Sequence, residues 1–158
     1  MITRYQIQPR GNMQVTTDDQ ANWIRVSAPL PQELQTLATT YGLPATYLAA
    51  ATDQHENARV EGLNPADQVP GLIVLRYPVE TTSETGFDQY NTVPMTMILL
   101  NDRVITITHD PLQAFDDLAQ QKLSPKPEEF ALEVLWLVLH QFVIAMDKLN
   151  DETKQIER

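Results

Sequence analysis

At 158 residues, with 42% apolar and 20% charged residues, the chain is long enough to bury a sizeable core and too apolar for a disordered segment. Its 21 acidic against 11 basic residues leave a formal charge of −10, a field that repels phosphate backbones and anionic lipid and favours divalent cations and basic partners. The basic residues are scattered without a cluster, which sets nucleic acid aside, and the lack of cysteine excludes disulfides, a thiolate nucleophile and Cys-type zinc sites and fits a reducing compartment.

Met1 to Arg10 alternates and offers no apolar signal-peptide region, so a cytosolic location is expected. Within it, Ile2 to Gln8 reads as a weak strand, and Gly11 to Asn22 is polar and turn-rich. Trp23-Ile24-Arg25-Val26 predicts a strand closed by Pro29 and Pro31. Pro31 suits a first helical position, and Leu34, Leu37, Ala38 and Tyr41 follow at helical spacing until Gly42.

Pro44 opens a second helix through Tyr47 and Leu48 to Ala51, which runs into Asp53, His55, Glu56, Arg59 and Glu61. Val60, between charges, marks the start of a strand. The apolar centre Leu72-Ile73-Val74-Leu75 predicts a buried strand over Gly71 to Val79, followed by a flexible connection over residues 80–91. Val93 to Leu100 and Val104 to Thr108 form a predicted hairpin across Asn101-Asp102-Arg103. Pro111 to Leu123 predicts a helix with Asp110 as N-cap, and Pro127-Glu128-Glu129 starts a long terminal helix. The pattern predicts an α/β fold, an α/β/α sandwich on a mixed sheet, with residues 1–124 as the main domain and 125–158 as the start of a helical stalk.

From Phe130 to Met146 only Glu133, His140 and Gln141 are strongly polar, so the helix needs partners on more than one side. A core helix is one reading. The other is that one face meets further polypeptide or another subunit, which the missing Gly, Asn or Pro stop after Asn150 also suggests. About 17 apolar residues holding an acid, an imidazole and an amide argue against a membrane span of roughly 20 uncharged ones.

No chemistry-bearing motif is complete. The five glycines are isolated, the serines lack an elbow motif, and His55, His109 and His140 lack ligand spacing. Asp147 and Asp151 lie four apart on one helical face, where two carboxylates could share a divalent ion, although a solvated helix end is the commoner use of that spacing. Asp53, Glu56 and Glu61 could form a cation-attracting rim, partly neutralised by Arg59.

Two blocks of residues carry a family likeness. The first runs from Trp23-Ile24-Arg25-Val26 through Glu33, Leu34, Leu37, Tyr41-Gly42-Leu43, Leu48, Asp53 and Glu56 to Arg59-Val60-Glu61. The second is Tyr90-x-Thr92-x-Pro94 with Ile98-Leu99, Asp102 and Val104-Ile105-Thr106-Ile107. Together they resemble the N-terminal cytoplasmic domain of the CorA-type magnesium and cobalt transporter family. The resemblance implies a non-enzymatic α/β/α domain in the cytosolic funnel of a homopentamer, with the terminal helix covered by later helices leading to the membrane. It also implies that the chain alone does not conduct, because the family's Gly-Met-Asn pore signature is missing and Gly11-Asn12-Met13 has the wrong order.

One departure matters. The adjacent Glu-Asp residues by which well-known members bind regulatory magnesium fall, counted without gaps, on Ala49 and Ala50, and methyl groups cannot ligate Mg2+. Asp53 and Glu56, within one or two turns, are then the candidate metal residues for a regulatory Mg2+. The alternative function is a stand-alone soluble module that homodimerises through its long helix; a small acid-base enzyme is a distant third.

Overall fold

Strand β3 (Trp23–Ser27) is buried along its whole length, as a strand with cover on both faces must be. Trp23 belongs to one core cluster and Ile24 and Val26 to another, so alternate side chains feed two separate helical layers. The computed structural model describes residues 1–17 and 20–156. Asp18 and Asp19 of the expected turn region, and Glu157 and Arg158 of the charged helical end, lie outside the described residues.

Among the described residues one seven-stranded sheet runs through the molecule. With β1 (Ile2–Ile7), β2 (Met13–Thr16), β4 (Arg59–Glu61), β5 (Gly71–Thr82), β6 (Asp88–Leu99) and β7 (Val104–Thr108), its order is β2-β1-β3-β7-β6-β5-β4. Every neighbouring pair is antiparallel except β3 and β7, which run parallel from Trp23 opposite Val104 to Ser27 opposite Thr108. The sheet is mixed, as the sequence predicts.

Helices α1 (Pro31–Tyr41) and α2 (Ala45–Thr52) cover one face, where Leu34, Leu37, Tyr47 and Ala50 share a core with Ile24, Leu72, Ile98 and Ile105. Pro31 is the first residue of α1, Glu33 accepts the Leu30 N–H at 2.8 Å, and Gly42 ends the helix at φ 63°. Helices α3 (Gln113–Leu118) and α4 (Pro127–Ile156) cover the other face, where Phe115, Phe130, Val134 and Val138 join Trp23, Ile73, Met95 and Met97. The architecture is an α/β/α sandwich. The expected 124/125 boundary falls in the link before α4, whose first half is itself part of the sandwich.

Three expectations are corrected. Residues 80–91 are not a flexible connection: β5 and β6 pair without a break from Gly71 opposite Leu99 to Thr82 opposite Asp88, leaving a short turn at 83–87. The outer part is polar because only one side is covered; Tyr77, Val79 and Val93 pack on the α4 core, and Asn91 Nδ2 donates to Thr81 Oγ1 at 3.1 Å. The helix expected over Pro111 to Leu123 spans only Gln113–Leu118, and Asp110 does not cap it. Beyond it the backbone turns so that Leu123 N–H donates to Gly11 C=O at 3.2 Å and Leu123 drops into the core. Finally, the turn-rich N-terminal region contains strand β2, an edge strand too short to leave a periodic signature.

Candidate functional site

Helix α4 has two faces. Pro127, Phe130, Ala131, Val134, Val138 and Ala145 are buried, and Phe130, Ala131, Val134 and Val138 share the core with the sheet. Leu132, Trp136, Leu139, Val143 and Met146 are exposed, Trp136 at 72%. Those five recur at intervals of four, three, four and three residues, the spacing of a seam that another helix fills. With 3.6 residues per turn, this seam points away from the sheet. The helix is therefore neither wholly enclosed nor polar on its outer side.

α4 is also the one helix among the described residues long and apolar enough to cross a membrane by length and composition. Its inner stripe is nevertheless bound into the core of the sheet, and its later half is tied down by charge. Lys148 Nζ pairs with Glu80 Oε1 and lies 3.6 Å from Asp88 Oδ2, joining α4 to the outer part of the β5–β6 hairpin. The Lys148 hydrogen bond holds the Glu80 carboxyl below its usual range, and Glu80 in turn raises the Lys148 ammonium. At the start of α4, burial pushes the Glu133 carboxyl up, partly offset by the Ser124 N–H that it accepts at 3.2 Å.

The predicted metal residues lie on the turn after α2. Asp53 is the C-cap of α2, and its Oδ1 accepts the His55 N–H at 2.8 Å. Glu56 Oε1 accepts from Arg59 Nε at 3.0 Å, and the same guanidinium reaches Glu61. Arg59 thus neutralises the rim from within. Magnesium demands an octahedron of oxygens, and among the described residues no three His, Asp or Glu side chains converge as metal ligands. Asp53 and Glu56 do not by themselves fit a regulatory Mg2+ site. Ala49 is exposed and Ala50 buried, with no oxygen to offer from either side chain. Asp151 lies 3.6 Å from Lys154, four residues along from an exposed Asp147.

The histidines stay apart in role. His55 is exposed beside Asp53, His140 is exposed on α4, and His109 Nε2 lies 3.0 Å from Thr52 C=O. The sequence showed that α4 was apolar beyond one stripe. It missed that Leu132, Trp136, Leu139, Val143 and Met146 form one outward seam, a signal present in their four-three spacing but overlaid by the apolar residues that face inward.

The sequence profile of the family described as CorA-like Mg2+ transporter protein matches residues 18–158. Among curated proteins none matches. Solved structures share the fold. The soluble domain of CorA from Methanocaldococcus jannaschii superposes with a TM-score of 0.74 at 20% identity, over 99% of this chain and 63% of that one. The complete CorA magnesium transporter from the same organism gives 0.69 at 19% identity, over 99% of this chain and 49% of that one. The ZntB cytoplasmic domain from Vibrio parahaemolyticus gives 0.72 at 11% identity, over 97% of this chain and 63% of that one. The chain thus spans about half the length of the complete transporter that it matches.

Proposed function

The chain belongs to the CorA-like Mg2+ transporter family, and from that premise we propose that it is the soluble domain of a divalent-cation transporter, placed at the cytoplasmic face of the membrane. The family is a class of transporter, not of enzyme. The observation that carries the reading is the outward seam of α4. A soluble domain gains nothing from an exposed Trp136 in line with Leu139, Val143 and Met146 unless polypeptide covers them. In this reading the cover is helical, from the rest of the same protein or from identical subunits of a pentamer.

Function follows as gating through contacts between subunits. At a net charge of −10, neighbouring copies repel, and bound Mg2+ or Co2+ relieves that repulsion. Asp53 and Glu56 are proposed as a cation-responsive pair rather than a formed site; their place at the two ends of one tight turn after α2, where Glu56 N–H donates to Asp53 C=O at 3.2 Å, supports this, and the Arg59 clamp on Glu56 opposes it.

The coding sequence past Arg158 tests the reading. Two apolar segments of about 20 residues each are expected. A stop codon there would overturn it in favour of the second reading, a stand-alone module that homodimerises through the same seam. Titrating magnesium into the 158-residue chain tests the sensing part separately, through association and thermal stability; indifference in both at millimolar concentration would remove sensing and leave the fold.

A further inference from the structure

Behind the β5–β6 hairpin, where α2 ends, lies a cavity of about 440 Å3 walled by the loop after α2, the hairpin and the link from β7 to α3. Arg76, Asn91, Thr92, His109 and Asp110 line it, and none of them was singled out by the sequence as a site. Arg76 is its fixed point. Nε donates to Thr92 Oγ1 at 2.8 Å, Nη2 to Thr92 C=O at 2.5 Å and Nη1 to Glu56 C=O at 2.8 Å.

All three acceptors are neutral. Arg25, Arg59, Arg103, Lys126, Lys148 and Lys154 each reach a carboxylate, whereas among the described residues Arg76, like Arg4, Arg10 and Lys122, forms no ion pair, and of these four it is the one that lines this cavity. A guanidinium carries five N–H donors, so two remain after these three bonds, on a group already held in place and still carrying its full charge. The side chain is preorganised for an oxyanion.

The cavity also holds acceptors. His109 Nε2 faces Thr52 C=O, an acceptor, so that nitrogen is the donor of the contact, and in the tautomer protonated there Nδ1 is left to accept. Asp110 adds a carboxylate, whose side chain makes no bond in capping α3. A fully deprotonated oxyanion gains from Arg76 and is repelled by Asp110. An oxyanion that keeps one proton satisfies both, with bare oxygens toward the guanidinium and its O–H toward the carboxylate.

We propose that this cavity binds inorganic hydrogen phosphate, with Arg76 holding the unprotonated oxygens and Asp110 accepting the P–O–H. Sulfate has no such proton at neutral pH. A phosphomonoester, with a second pKa of about 6, has mostly lost its own. The chain's negative field opposes any anion, so selectivity rather than tight binding is the signature, with affinity in the millimolar range. The inference stands on the cavity and not on the transporter reading.

The test is a set of titrations of the 158-residue chain with inorganic phosphate, glycerol 3-phosphate and sulfate at pH 7.5 and constant ionic strength, read by backbone amide chemical shifts. Saturable shifts at Thr92, His109 and Asp110 are expected with phosphate, with sulfate binding about tenfold or more weaker. Arg76→Lys should lose most of the response. Because Arg76 also ties the α2 loop to the hairpin, the exposed Asp110→Asn is the variant that leaves folding aside; it should bring sulfate up towards phosphate. Equal shifts from all three anions, no saturable shift at these residues, or unchanged selectivity in Asp110→Asn would each overturn the proposal.

Discussion

The indole N–H of Trp23 donates to Thr106 Oγ1 at 2.9 Å inside the sheet, joining two residues 83 positions apart. The bond sits on the face where Tyr5 stacks on Trp23 at 4.7 Å and Phe130 lies 5.2 Å away, ring centre to ring centre. It locks the one parallel pair, β3 with β7, that closes the long crossover between them. Thr106→Val keeps the side-chain shape and strands a buried donor, so it should cost about 1–3 kcal/mol in chemical denaturation. Adding Trp23→Phe should cost less than the sum of the two single changes, since the orphaned N–H is gone. A strictly additive double variant would show that the bond contributes nothing specific.

The two faces of α4 predict opposite outcomes for the same chemistry. Val138→Glu places a charge in the sheet-facing core and should unfold the domain. Leu139→Glu and Val143→Glu, one position or a few along on the outer face, should shift stability by no more than about 0.5 kcal/mol. They should also reduce self-association in sedimentation velocity. In fluorescence quenching, Trp136 should be accessible to acrylamide and Trp23 protected, because their exposures are 72% and 0%.

Two glycines share a left-handed backbone and differ in surroundings. Gly42, at φ 63°, has nothing within 4 Å of an added Cβ, so Gly42→Ala should cost only the conformational strain, about 1 kcal/mol. At Gly62, φ 64°, a Cβ would stand 2.4 Å from Pro70 O and 2.9 Å from Tyr47 Oη, the two atoms that already share a 2.7 Å hydrogen bond. Gly62→Ala should therefore lower the melting temperature clearly more than Gly42→Ala, and equal losses would contradict the geometry.

Acid should destabilise the domain in a defined way. Glu33, Glu80 and Glu129 are held below their usual range chiefly by hydrogen bonds, from the Leu30 N–H, Lys148 and Ser124 respectively. A depressed carboxyl stabilises above its unfolded pKa, near 4.3, and loses that contribution as pH falls through the folded value. Glu133 runs the other way: raised by burial, it helps below the unfolded pKa and loses that help as pH rises through its folded value. Thermal melts should show Glu80→Gln with a shallower acid loss, and Glu133→Gln with its gain over wild type at pH 7 rather than at pH 4. Glu80 and Glu129 are exposed and Glu33 partly so, so salt should blunt the first effect.

Much of the fold was legible because local signals agreed with it. Pro31 and Gly42 bracket α1, and the Asn101-Asp102-Arg103 turn joins two strongly apolar strands. Where the reading failed, covering from elsewhere in the chain decided the outcome. Residues 80–91 look like a loop because their stabilising partner, Lys148, lies 68 positions from Glu80. Asp110 looks like a helix cap, but its backbone C=O accepts from Thr108 Oγ1 at 2.7 Å, and the helix begins after Leu112.

Composition and periodicity alone determined the fold class, the helices other than the bounds of α3, and the cation-favouring charge, since these depend on short-range spacing and on sums over residues. Family membership was likewise visible as an ordered set of short motifs. Only the tertiary structure decided which side of α4 is bare, that Arg59 already occupies Glu56, and that Arg76, which forms no ion pair among the described residues, lines one cavity with Asp110 and His109. Those facts depend on which distant groups meet, and a side chain's partner across a sheet or a cavity leaves no trace in the residues next to it.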